Sequence, residues 1–420
     1  MKKYLISLLL VLVMVLTIGA SVMAEEVTNL TFLTFVDPND TSAPRSIAQK
    51  QLIDAFEARN PDIKVEPQVV GWAEVAPRLI RSVAAGNPPD VTRINSDALE
   101  LQYGADTLMD LTPYIEASGH PEDYDNIIVH NGEVKAIWID NRPVMLFYNK
   151  VHLAEIGLEE PPKTWDEIAE VAQQLSEKGH IGFAVGLNFN GSGNGLMEWL
   201  KPVMWALGGD LVDENGKAAF NGEAGVKAMQ LLYDLTYKYN CITEEILSND
   251  VDGNFQAFTS GRVSMFAFAS HRFTTAQSLM GEDTIGIMPM PSFDGVDPAP
   301  AHVTGWAMAI PKGSAHPDEA WRFIDDTTSV EAMIVNAKVG GELPTREGAF
   351  SDPWFSEDPT GKEMMKWHQY IADYGRMPQF PEDYLELHEI LCNAAQQIIF
   401  EQAPIQETLD EAAELYNEGK

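Results

Sequence analysis

Two kinds of residue in this chain sit where they could do chemistry. Carboxylates are the first. With 63 Asp and Glu among 420 residues, pairs able to act as general acid and base occur throughout, and no pair stands out. The motifs of other chemistries are missing. There is no Gly-rich phosphate loop ending in GK[ST] and no G-x-S-x-G elbow, which Gly191-Ser192-Gly193 resembles only superficially. The nine histidines form no H-x-x-x-H pair, and there is no C-x-x-C. Asp250-Val251-Asp252-Gly253 looks like part of a calcium loop. In the full frame, however, Ser248 and Thr259 take the end positions that need carboxylates, so the stretch reads as a helix cap. No catalytic residue, metal or cofactor is expected. The second kind of residue is aromatic or polar and lies at the edge of a predicted loop. Trp72 follows VVG, Trp306 follows Gly305, His271 and Arg272 follow an apolar run, and Asp140, Asn141 and Arg142 precede another. Flat rings beside Asp, Asn and Arg suit a ligand with apolar faces and adjacent hydroxyls, because a bidentate polar group can fix two neighbouring oxygens. This is chemistry of binding, and a sugar presents that pattern.

The elements that must position these residues alternate between strand and helix. Residues 27–35 (VTNLTFLTF) read as a strand, followed by a helix through Ile47, Leu52 and Phe56 that Asn60-Pro61 stops. Residues 63–66 are a second strand, 75–85 a helix ending at Gly86, and Asp90-Val91 opens a third strand. Such β-α-β-α-β alternation implies a parallel sheet wrapped by helices, with ligands at the carboxyl ends of its strands. Residues 144–148 (VMLFY) are too short for a helix and bulky enough for a buried strand. After Pro161-Pro162, Thr164 and Glu167 form a capping box, and Trp165, Ile168, Ala169, Ala172 and Leu175 share one helical face. Further on come a strand at 181–185, a Gly/Asn-rich loop at 188–195, a helix at 196–207 carrying Trp199 and Trp205, a turn at 213–216 and a long helix at 223–239. Trp138, Trp165 and Trp321 fall on core faces, and Tyr148 reads as packed in the hinge.

The run from YNK through the Pro pair to TWDE closely resembles the crossover segment of the family 1 extracellular solute-binding proteins, the sugar-binding subunits of ABC importers, which include the maltose-binding type. The resemblance spans nearly all of the chain after residue 24. Phe56, Pro61, Ile63 and Val65 match F-x-x-x-x-P-x-I-x-V. Residues 84–91 (AAGNPPDV) match the next step, Leu108-Asp110-Leu111 a third, Gly261 and Met265 the F-x-x-G-x-A-M step with Ser264 for its Ala, and GELPTR the G-x-x-P-x-R step. The resemblance implies an α/β, two-lobed periplasmic binding protein fold, with two doubly wound sheets joined by a three-crossing hinge. Lobe 1 would comprise 25–143 and 304–345, and lobe 2 would comprise 144–303 and 346–420. It implies capture of a carbohydrate between lobes that close like a hinge, delivery to the transmembrane subunits of an ABC permease, a monomer and no catalysis. It places ligand contacts at Asp37 and Asn39, Trp72, Asp97, Asn141 and Arg142, His271, Gly305 and Trp306, and Tyr384, and Trp205 is a further candidate contact. His271 departs from the Trp that relatives often carry there. Asp97 could equally cap a helix, and Arg142 could equally serve an interlobe salt bridge. The other functional readings are a non-sugar binding protein, a sensor subunit, and a secreted carbohydrate-active enzyme.

Charge and export fit this picture. The net charge is −35, which argues against nucleic acid and anionic membrane surfaces as partners. Lys2 and Lys3, an apolar run and the ending Val22-Met23-Ala24 read as a cleaved signal peptide over 1–24, with no lipoprotein cysteine, so a periplasmic location is expected. Cys241 and Cys392 could pair in such a compartment, although each lies in an apolar helical context where buried free thiols are common.

Overall fold

The computed structural model describes residues 27–189, 194–377, 381 and 383–418. The expected signal peptide and the centre of the 188–195 loop lie outside them. Strand β1 (Thr28–Thr34) pairs in parallel with β2 (Ile63–Val69) on one side and with β3 (Val91–Asn95) on the other. The helix Pro44–Arg59 that joins β1 to β2 starts with proline, whose fixed φ suits a first turn. It buries Ala48, Leu52, Ile53 and Phe56, a stripe at helical spacing. Phe56 and Phe32 both meet Phe323 edge-on, with centroids 5.1 and 5.3 Å apart. The second helix, Val75–Ala84, is followed by Gly86 at φ +71°, a conformation open to glycine at no steric cost.

The two halves of the molecule are joined through strands they share. Strand β4 (Ile127–His130) pairs with the first part of β5 (Glu133–Asn149), which runs for 17 residues. Up to Pro143, β5 pairs with β9 (Ala301–Ala309), which also lies antiparallel to β3. Beyond Pro143, β5 pairs with β7 (Val263–Ala269) and β8 (Ile285–Pro289), while β6 (Ile181–Ala184) lies parallel to β7. The short β10 (Gly375–Arg376) pairs with the start of β9. The path β2-β1-β3-β9-β5-β7-β6 is therefore continuous, yet the side chains pack into two separate cores. One holds Phe32, Leu79, Val91, Ile137 and Phe323, and the other holds Phe147, Trp165, Phe183, Trp199 and Leu391. A third segment crosses beside β5, where Leu343 bridges Asn141.

Local chemistry fixes the second half as the sequence leads one to expect. The Thr164 hydroxyl accepts the Glu167 N–H at 3.2 Å, and the Glu167 carboxylate accepts the Thr164 N–H at 3.2 Å. The helix Trp165–Glu177 then drives Trp165, fully buried, against Phe183 and Trp199. Asp250 caps its helix through the Gly253 N–H at 2.8 Å, as read from the sequence. The C-terminal helices Tyr384–Phe400 and Ile405–Glu418 join the second core. Cys241 and Cys392 are free and buried, and burial pushes both thiols up to about 12. Among the described residues, no helix is long and apolar enough to cross a membrane.

Candidate functional site

A cavity of about 630 Å³ opens between the two cores. Its first wall is built from the carboxyl ends of the parallel strands. Asp37 and Asp40 follow β1, Trp72 sits in the short turn after β2, and Asp97 sits in the turn Ser96–Ala98 after β3. The crossing strands form the back, with Arg142 from β5 and Thr304, Gly305 and Trp306 from β9. The opposite wall comprises His271 and Arg272 after β7, Glu198 from the helix Asn194–Ala206, and Tyr384 at the start of its helix.

Charges in the back wall are tied together across the crossing. The Arg142 Nε donates to Asp140 at 2.6 Å, and its Nη2 donates to Glu342 at 3.2 Å. Arg45 approaches the same Glu342 oxygen at 2.6 Å. Asp140 also accepts the Trp306 N–H at 2.6 Å, which clamps β9 to β5. Burial opposes ionisation of Glu342, but the Arg45, Arg142 and Arg93 charges outweigh it and hold the carboxyl below its ordinary value. On the opposite wall Arg272 pairs with Asp252 at 2.7 Å. Burial, then the charges of Arg142, Arg45 and Arg272, hold His271 well below the usual imidazole range, so the ring is neutral.

The floor is different in kind. Glu198 is 7% exposed, and its Oε2 has no hydrogen-bond partner among the described residues. Burial, followed by the nearby Asp97 charge, pushes its carboxyl well up. Lys201, one turn along, donates to the Tyr384 hydroxyl and lies 4.3 Å from that ring's centroid. Burial lowers its ammonium to about 7, against the pull of Asp97, Asp210 and Glu198.

Eight of the eleven residues singled out from the sequence line this cavity: Asp37, Trp72, Asp97, Arg142, His271, Gly305, Trp306 and Tyr384. Asp97 caps no helix, and Arg142 both faces the cavity and joins the salt-bridge cluster. Three residues lie elsewhere. Asn39 is exposed and folds back to Asp37, which accepts its N–H at 2.9 Å. Asn141 alternates with Arg142 along β5, and its side chain instead bonds Trp138 at 2.9 Å and the Pro344 carbonyl at 3.2 Å. Trp205 is buried, donates to Asp210 at 3.0 Å and packs under Arg376. Sequence reasoning missed Phe35, Arg45, His302 and Glu198. The available signal for the last was a charged pair, Glu198 and Lys201, at i,i+3 in the otherwise apolar run GLMEWLKPVMW.

Comparison with known proteins fits this geometry. A probable ABC transporter-binding protein of Deinococcus radiodurans is 28% identical over 261 residues, covering 58% of this chain and 60% of the relative. A probable amino-acid ABC transporter periplasmic-binding protein of Sinorhizobium fredii is 29% identical over 220 residues, covering 50% of this chain and 47% of the relative. The matches thus span less than two thirds of the length of either relative. In fold, the chain is similar to maltose-bound MalE3 of T. maritima, with a TM-score of 0.79 and 22% identity, over 93% of this chain and 99% of that one. A family model for bacterial extracellular solute-binding proteins matches residues 39–334. The chain belongs to that family.

Proposed function

We propose that the chain is the extracytoplasmic binding component of an ABC transporter, and that it captures a sugar or oligosaccharide in the cavity between its two cores. The observation that carries this reading is the cavity wall itself. Trp72 and Phe35 offer flat apolar surface next to Asp37, Asp97, Arg142 and Thr304, the mixture that stacked sugar rings and their hydroxyls require. Phe35 and Trp306 brace one another with centroids 4.2 Å apart. The maltose held by the T. maritima neighbour of the same fold supports the ligand class.

In this reading lobe 1 is 25–143 with 304–345, and lobe 2 is 144–303 with 346–420. The lobes close over ligand about β5, β9 and the 341–346 segment. Residues 1–24 direct export to the periplasm, and the closed monomer hands its ligand to the transmembrane subunits of a permease. No bond of the ligand is broken. The name of the Sinorhizobium fredii relative favours a second reading, in which the solute is an amino acid.

Thermal unfolding of the mature protein against mono- and oligosaccharides, with amino acids alongside, decides between the two. Free ligand at about 100 times its dissociation constant adds roughly 2.7 kcal/mol to stability. A raised transition with a sugar, and no product formed, is the expected result. A rise with amino acids alone transfers the assignment to the second reading.

A further inference from the structure

The charges around the cavity do not balance evenly. Each arginine of the wall already has a carboxylate: Arg45 has Glu342, Arg142 has Asp140 and Glu342, and Arg272 has Asp252. Four lining carboxylates remain, those of Asp37, Asp40, Asp97 and Glu198, and among the described residues none of them joins a salt bridge. Asp37 and Asp40 stand at the wet rim, where water and local hydrogen bonds satisfy them. Asp97 and Glu198 do not have that option. Asp97 is half-buried, with one oxygen accepting the Ser96 hydroxyl at 2.9 Å. Glu198 lines the cavity and is almost wholly enclosed, with Oε2 buried and without a partner among the described residues. The buried cation between them, Lys201, feels both carboxyls, yet its ammonium donates to the Tyr384 hydroxyl, while Arg142 acts on Asp97 and Arg272 on Glu198 only from within their own salt bridges.

Unpartnered, the Glu198 carboxyl is pushed well up by burial, and an ionised donor beside it would favour its carboxylate form more than a hydroxyl does. An ammonium carried by the ligand supplies both the missing charge and several N–H donors at one point. From this we infer that the Asp97–Glu198 end of the cavity is a subsite for a protonated amine, so that the captured ligand is an amino sugar. The inference rests on the sugar-binding reading above and narrows it.

The test compares matched probes by calorimetric titration and thermal shift on the mature protein. Amine-bearing probes are D-glucosamine, D-galactosamine, D-mannosamine and short chitosan oligosaccharides. Their controls are the N-acetylated forms and the corresponding hydroxyl sugars, including cello-oligosaccharides. Spermidine and putrescine serve as protonated amines without a sugar. The expected result is binding of at least one amino sugar, with its acetylated and hydroxyl counterparts at least about tenfold weaker. Glu198→Gln and Asp97→Asn, each checked for native circular dichroism, should then lower amine affinity by about tenfold or more while changing hydroxyl-sugar affinity far less. If one variant fails to fold, the other carries the test. Tight binding of a neutral sugar that Glu198→Gln leaves unchanged overturns the amine subsite and keeps the sugar reading. Binding of spermidine or putrescine alone removes the sugar and keeps the subsite. No binding by any amine-bearing probe overturns the inference.

Discussion

Trp72 and Trp306 answer the same description in the sequence, a tryptophan beside a glycine near a strand end, and the fold uses them differently. Trp306 is 3% exposed, stacks on Phe35 and has its N–H clamped by Asp140. Trp72 is half-buried in a short turn at the cavity mouth. Replacing each with alanine therefore separates binding from stability. Trp306→Ala should cost about 3–5 kcal/mol in urea unfolding, the usual loss for a deleted core aromatic. Trp72→Ala should leave the unfolding midpoint nearly unchanged and weaken ligand by about tenfold in calorimetric titration, the equivalent of one stacked ring. Equal stability losses for the two would remove Trp72 from the site. At this scale Asn39 and Asn141 show the limit of sequence reading. Both are polar residues at the right loops, but one is satisfied by its neighbour Asp37 and the other faces away by strand parity.

The element that matters most is the contact of β5 with β9. Gly305 lies where the two strands are pressed together. A Cβ built there would sit 2.1 Å from the Asp140 carbonyl oxygen and 2.7 Å from the Trp138 ring. The first neighbour is backbone and cannot turn aside. Gly305→Ala must push β9 off β5, and with it Thr304, Trp306 and the Asp140 clamp. The expected loss is about 1–3 kcal/mol of stability, the range for overpacking, with ligand affinity reduced in the folded fraction. Urea unfolding and titration of the same sample check both parts. A variant with wild-type stability would show that the crossing yields more easily than its contacts indicate. Gly305 was picked out as a ligand residue. It does line the cavity, and its lack of a side chain serves the packing of the two strands.

At the scale of the whole molecule, two cores share β5, β9 and a third crossing, with a cavity between them. Few backbone connections resist a change in the angle between such bodies, whereas a ligand touching both walls favours the closed arrangement. Small-angle scattering should show the radius of gyration falling as ligand saturates the protein. A ligand that saturates by calorimetry and leaves the radius unchanged would sink the hinge reading. If ligand draws the Asp97 wall toward the Glu198 wall, as the proposed subsite requires, Glu198→Gln should weaken the compaction together with the affinity.

Local order was legible in the sequence because its causes are local. The Thr164–Glu167 capping box, the extended run of β1, the glycine after the second helix and the Asp250 cap each depend on residues within a few positions of one another, and each appears where expected. The order of the motifs, compared with a known family, carried the two-lobed architecture as well. The floor of the cavity was beyond such reading. Glu198 and Lys201 look in the sequence like a solvated i,i+3 pair on a helix, and the same spacing serves a buried one. What settles their role is that β9, the helix Asn194–Ala206 and the start of the helix Tyr384–Phe400 converge there from positions far apart in the chain. Burial and the pairing of charges are properties of that convergence. The sequence determined which elements form and in what order, and only the tertiary structure decided which carboxylates would line the cavity outside any salt bridge among the described residues.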